Sequence, residues 1–107
     1  MGFIERLTDI TGPDNIFASP VDCLAYSRDM SIHAGVPQAV AFVSTTEQVA
    51  AIMALADSQK VPVTARGTGS SVTGAVLPIK GGLVLDFTRM NAVKEINKAD
   101  GYVVVEP

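Results

Sequence analysis

The chain has 107 residues, with 8 Lys plus Arg against 11 Asp plus Glu for a net charge of −3, and 48% of its residues are hydrophobic against 18% charged. That size admits one domain with a modest core, and the apolar balance excludes an intrinsically disordered chain. The acidic balance supplies no basic stripe to displace counterions from phosphates, so DNA and RNA are set aside as partners.

The opening Met1-Gly2-Phe3-Ile4-Glu5-Arg6 lacks the basic start and apolar stretch of a secretory leader, and Arg6 stands where a myristoylation signal needs Ser or Thr. A cytoplasmic setting is the default expectation. Phe3, Ile4 and Leu7 line one side of a short helix that Gly12-Pro13 stops, and its size suggests a lid. From 13 to 36 periodicity is weak: Asp14-Asn15 and Ser19-Pro20 mark turns, and one helical turn is expected over 21–26. Cys23, the single cysteine, has no partner for an internal disulfide and no zinc-ligand spacing around it, so it reads as a small buried apolar residue. The uncharged stretch from Ser31 to Thr46 is interrupted by His33, Gly35 and Pro37, which argues against a membrane span.

The pattern then sharpens. Ala39-Val40-Ala41-Phe42-Val43 is an apolar run bounded by Pro37 and Ser44 and suits a strand buried on both faces. Thr45 is placed to cap a helix, with Gln48 as its reciprocal partner, and Val49, Ile52, Met53 and Ala56 recur at helical spacing to about Ser58. Val61-Pro62-Val63-Thr64-Ala65 is a second strand, and the helix between the two makes a crossover that predicts parallel pairing. Leu83 to Phe87, Val93 to Ile96 and Tyr102 to Val105 read as further strands, the last two separated by the turn-like 97–101. The fold class expected is α/β (α+β), a small, largely parallel sheet flanked by helices, with 1–36 helical or irregular and 37–107 an α/β unit.

Between the second and third strands lies Arg66-Gly67-Thr68-Gly69-Ser70-Ser71-Val72-Thr73-Gly74. Backbone N–H groups in such a loop are unobstructed by Cβ atoms and can converge on an oxyanion, for which phosphate is the natural guest. No carboxylate occurs between Asp57 and Asp86, while Arg66 and Lys80 add positive charge. Gly69 to Gly74 has the spacing of a nucleoside-triphosphate loop, but Ala75-Val76 replaces the required Lys and Ser/Thr. Gly67-Thr68-Gly69 opens a dinucleotide fingerprint, but Val72 replaces its third glycine and Pro78 precludes the following helix. On spacing alone the loop is equally well an ordinary structural turn.

A wider set of features gives a resemblance. Tyr26-Ser27-Arg28-Asp29, Pro37-Gln38-Ala39-Val40, the Val49 helix, Pro62 through Gly74, Gly81-Gly82-Leu83-Val84-Leu85-Asp86, Arg89-Met90-Asn91 and Val103-Val104-Val105-Glu106-Pro107 occur in the order found in FAD-linked oxidases of the vanillyl-alcohol oxidase and p-cresol methylhydroxylase class. Within that class the chain resembles glycolate oxidase subunits and D-lactate dehydrogenases, which oxidise 2-hydroxy acids. The resemblance implies that Gly67, Thr68, Gly69, Ser70 and Ser71 wrap the FAD pyrophosphate with backbone amides, that Gly74 permits close approach, and that Arg66 opens the site. Serine at 70, where some relatives carry a flavin-linked histidine, implies non-covalent FAD. Thr68 replaces a glycine common in the class.

Members of the class continue past the Glu-Pro dipeptide into a second FAD-binding subdomain and a substrate-binding cap. The resemblance therefore implies a truncated fragment with half of a flavin site, no catalytic residues, and no activity alone. The alternative is a non-catalytic α/β interaction module that self-associates, and a homodimer through free strand edges is expected on either account. His33, the only histidine, has no partner near it in sequence and reads as a surface or structural residue; Asp29 reads as a turn cap, with orientation of the loop through Arg28 as the alternative, Met53 and Met90 as core filler, and Arg66 as the charged residue most suited to the site or else to an ion pair.

Overall fold

In the computed structural model, which describes residues 2–107, Phe3, Leu7 and Thr11 are buried on one side of the helix α1 (Phe3–Thr11). Gly12 ends it at φ +88°, a conformation disfavoured for any residue with a Cβ. This helix is not a lid: Leu7 is 0% exposed and sits in the main core. A 3-10 turn (Pro13–Asn15) leads to the two-residue strand β1 (Ile16–Phe17), too short to carry a periodic signal. Ser19 then caps α2 (Pro20–Ala25) by accepting the Asp22 N–H at 3.2 Å, with Pro20 preset for the first helical position.

The apolar run becomes β2 (Ala39–Phe42), and Thr45 caps α3 (Thr46–Ser58), accepting the Gln48 N–H at 3.2 Å. Gln48 returns its Oε1 to the N–H of Ser44 at 2.8 Å rather than to that of Thr45, so the expected reciprocal bond is shifted by one residue. Ile52, Leu55 and Ala56 form the buried stripe; Met53 is 46% exposed, contrary to expectation, because Leu55 takes the inner position, while Met90 is buried.

Two more strands, β3 (Val63–Arg66) and β4 (Leu83–Asp86), complete a four-stranded sheet in the order β1-β2-β4-β3. β4 is parallel to both neighbours, with Val84 opposite Val40 on one side and Thr64 on the other, and β1 is antiparallel to β2. The crossover strands are parallel as expected but are not neighbours. All of β4 is buried, whereas β3 is only partly so, and the more apolar strand takes the inner slot. Ala39, Ala41, Leu83 and Leu85 belong to the core that α1 and α3 cover, while Val40 and Val84, equally buried, point to the opposite face.

The strands β5 (Val93–Asn97) and β6 (Tyr102–Val105) form a separate antiparallel hairpin. The turn is fixed by the Asp100 N–H to Asn97 Oδ1 at 2.9 Å and by Gly101 at φ +73°. Its open end is closed by Ala92 and Glu106, which exchange bonds of 3.0 and 3.1 Å. Every residue of β6 is exposed.

Candidate functional site

The glycine loop leaves the C-terminal end of β3, beside the C-terminal end of β4, where parallel sheets present their ligand crevices. Among the described residues, the backbone N–H groups of Gly67, Thr68, Gly69, Ser70 and Ser71 donate to no protein acceptor. The loop's hydroxyls pair with each other instead, Thr68 with Ser70 and Ser71 with Thr73, both at 3.1 Å. Its backbone donors are therefore left free for a ligand rather than consumed by the loop itself.

The glycines differ in why they are glycine. Gly69 (φ +77°) and Gly74 (φ +80°) are in the left-handed region; a Cβ on the first would run into the Arg66 guanidinium, and one on the second would lie 3.2 Å from the His33 ring. Gly67 is outside that region, and a Cβ there would meet nothing within 4 Å. Neither conformation nor packing demands a glycine at 67, so its bare face is open space beside free N–H groups, which fits close approach of a diphosphate.

Behind the loop runs the segment 26–35. Arg66 turns back into it, donating to the carbonyl oxygens of Arg28 (2.9 Å) and Tyr26 (3.4 Å), with its guanidinium 5.1 Å from the centre of the Tyr26 ring. Among the described residues Arg66 forms no ion pair, contrary to that expectation; its partners are carbonyls and a ring. Met30 donates its N–H to the Ser71 carbonyl at 2.9 Å. Asp29 caps its own turn, as expected, through the Ser31 N–H at 2.7 Å, and its other oxygen accepts the Gly74 N–H at 3.1 Å. The neighbouring Ser31 hydroxyl, together with the Ser31 and Gly74 N–H groups and Arg66, holds the Asp29 carboxyl below its ordinary pKa against a smaller opposing effect of desolvation. The acid-free interval in the sequence is thus not acid-free in space.

Asp86, at the end of β4, is buried and accepts from the Tyr26 hydroxyl (2.9 Å), the Thr88 N–H (2.8 Å) and the Thr88 hydroxyl (2.7 Å). Burial, reinforced by the bond to Asp86 and its charge, pushes the Tyr26 phenol up to about 12. Cys23 is buried, with its thiol raised by that burial and by Asp22. His33 is exposed beside Gly74.

A cleft of about 320 Å³ opens beside the loop, lined by Gly67, Thr68, Phe87, Thr88, Asn91 and Pro107, and an adjoining hollow of about 240 Å³ shares Gly67, Phe87 and Pro107. Phe87 and Thr88 were not singled out from sequence. Only the pairing of β4 with β3 brings them beside the loop. Of the sequence-predicted residues, Gly67 and Thr68 face this cleft, Arg66 borders the hollow, Gly69 to Ser71 continue the row of free donors, and Gly74 is tied to Asp29. Among the described residues no helix is long and apolar enough to cross a membrane.

Comparison with known proteins agrees with this geometry. Residues 37–107 match the family described as FAD binding domain. An uncharacterized FAD-linked oxidoreductase of Mycobacterium tuberculosis is 37% identical over 105 residues, covering 95% of this chain and 23% of that protein. The glycolate oxidase subunit GlcD of Bacillus subtilis is 33% identical over 104 residues, covering 96% of this chain and 22% of that subunit. The crystal structure of p-cresol methylhydroxylase with substrate bound superposes with a TM-score of 0.87 at 25% identity, covering 98% of this chain and 21% of that one. The chain thus spans less than a quarter of the length of these relatives. A small, largely parallel α/β sheet, a row of free loop donors at its C-terminal end and the match over 37–107 lead to one conclusion: the chain belongs to the FAD-binding domain family, with FAD-linked oxidoreductases and a glycolate oxidase subunit among its relatives.

Proposed function

We propose that residues 1–107 form one FAD-binding subdomain whose loop holds the FAD pyrophosphate non-covalently, within an oxidoreductase acting on a small 2-hydroxy acid. The free N–H groups of Gly67, Thr68, Gly69, Ser70 and Ser71 carry this reading, since each can donate to a phosphate oxygen without breaking a bond inside the protein. Gly67 leaves the approach open, Gly69 and Gly74 hold the turns, and Arg66 braces the loop from behind. FAD, when bound, supplies the hydride-accepting flavin; this chain contributes binding and orientation. The substrate class is supported by the likeness to a glycolate oxidase subunit, and a cytoplasmic setting is kept as part of the proposal. The packing of α1 and β1 onto β2 supports treating the whole chain as one unit.

Calorimetric titration with FAD, ADP and FMN tests the assignment. Saturable binding of FAD and ADP, abolished by Gly69→Asp, is the expected result; no binding of either at millimolar ligand overturns it.

A second reading rests on a separate observation. Val93, Ile96, Val103 and Val105 of the hairpin are 54–65% exposed, and two-stranded hairpins with free edges recruit partners. We propose a homodimer through this hairpin, which sedimentation velocity checks: a monomer at high micromolar concentration refutes it.

A further inference from the structure

The row of free donors needs a defined path, and little inside the loop provides one. Residues 67–73 have the two hydroxyl pairs and a single backbone-to-hydroxyl bond, Thr73 N–H to Ser71 Oγ at 3.3 Å. Two of the residues are glycines, which lose the most conformational freedom on ordering. If the ligand had to impose the path, that entropy would be subtracted from its affinity. Three ties from outside supply it instead. At the start, the Phe87 N–H bonds the Arg66 carbonyl at 2.9 Å; in the middle, the Met30 N–H bonds the Ser71 carbonyl at 2.9 Å; at the end, Asp29 takes the Gly74 N–H at 3.1 Å. The first two join backbone to backbone. Of these three only the third depends on the identity of a side chain, and it acts at the end of the loop opposite to the one that the Arg66 guanidinium braces on the Tyr26 and Arg28 carbonyls.

We propose that Asp29 is a positioning residue for the glycine loop: its carboxylate bridges the Ser31 and Gly74 N–H groups and so fixes the path along which residues 67–71 present their donors. This rests on reading those donors as the diphosphate site. The choice of side chain follows from the two bonds. Each carboxylate oxygen accepts one N–H, whereas Asn has a single acceptor oxygen and would set its NH2 against one of the two donors. A carboxylate near a diphosphate is repulsive when bare, but both oxygens here are engaged by N–H groups, and Arg66 lies close enough to favour the charged form. The His33 ring and the Ser31 hydroxyl also stand against Gly74, 3.2 and 3.6 Å from where a Cβ would lie, but the bond its N–H makes is to Asp29.

The test compares the wild-type chain with Asp29→Ala, Asp29→Asn and, as control, the exposed Asp57→Asn. Amide hydrogen exchange and calorimetry with ADP are measured on each. Asp29→Ala is expected to speed exchange at Gly74 and Ser31 about tenfold or more and to weaken ADP about tenfold, with β4 amides unchanged; Asp29→Asn falls between, and the control matches wild type. Wild-type exchange at Gly74 in Asp29→Ala overturns the proposal, as does faster exchange with ADP affinity retained. Fast exchange in β4 of both variants overturns it too, since Asp29 is then needed for the fold as a whole. A wild-type chain that binds neither ADP nor FAD refutes the diphosphate reading instead, and the exchange at Gly74 then decides the tie by itself.

Discussion

Gly67→Ala separates binding from stability. The added methyl meets no atom within 4 Å, and the backbone there is outside the left-handed region. With no native strain, the substitution acts mainly on the unfolded chain, which loses freedom when glycine is replaced; the expected change is a gain of about 0.4–1 kcal/mol, a rise of a few degrees in Tm. The same methyl occupies the open face beside the free N–H groups of Gly67 and Thr68, on the wall of the cleft. Keeping a phosphate about one methyl radius farther away lengthens those bonds past useful range, and ADP affinity is expected to fall at least tenfold, about 1.4 kcal/mol. Gly82→Ala provides the contrast. Gly82 has φ +77°, and its Cβ would collide with the Pro62 carbonyl oxygen, which accepts the Leu83 N–H at 2.8 Å. That change is expected to destabilise the sheet by about 2–4 kcal/mol. Thermal melts and ADP calorimetry on both variants are the assay. Unchanged ADP affinity in Gly67→Ala, or a loss of Tm as large as that of Gly82→Ala, refutes the reasoning.

Tyr26, with its phenol at about 12 in the folded chain against about 10 when unfolded, contributes stability that is complete below pH 10 and is lost as pH rises through 12. Allowing for partial exposure, this is on the order of 1 kcal/mol; Tyr26→Phe removes that alkaline slope in denaturant titrations, and an identical slope in both proteins counts against the Asp86 bond. Leu7→Ala leaves a cavity in the core and is expected to cost about 2–5 kcal/mol by urea unfolding; a cost within 0.5 kcal/mol, typical of a surface site, restores the lid.

The strands at 39–42, 83–86 and 102–105 are legible because each is a short, mostly apolar run beside turn residues, the strand at 93–97 only through Val93 and Ile96 ahead of the turn-like 97–101, and the helix 46–58 because a capping threonine precedes its stripe. Strand order was not legible. Hydrophobic pattern shows that β2 and β4 are buried but not which of them stands beside β3, since lateral order is decided by long-range packing. The glycine loop could be read as an oxyanion cradle from composition, whereas its support could not. Asp29 and Gly74 are 45 residues apart, and no local periodicity links them. Arg66 stands out in the sequence as the cation at the head of the loop, but its direction is hidden there: a guanidinium in that position points forward or back depending on what lies behind it, and Tyr26 and Arg28 lie behind.

The position of β4 between two earlier strands also bears on how the chain reaches this shape. β2 and β3 emerge first in synthesis, with the crossover helix between them, yet neither pairs with the other, and both parallel ladders await residues 83–86. A nascent chain ending before Leu83 lacks both parallel ladders and the strand that its helices pack around. Closing two non-local parallel ladders at once is slow and all-or-none. Because the loop 67–82 is the tether that delivers β4 to its slot, the loop that we propose as a phosphate cradle takes its shape at the moment the sheet closes. Ligand-site formation and completion of folding are then a single kinetic event.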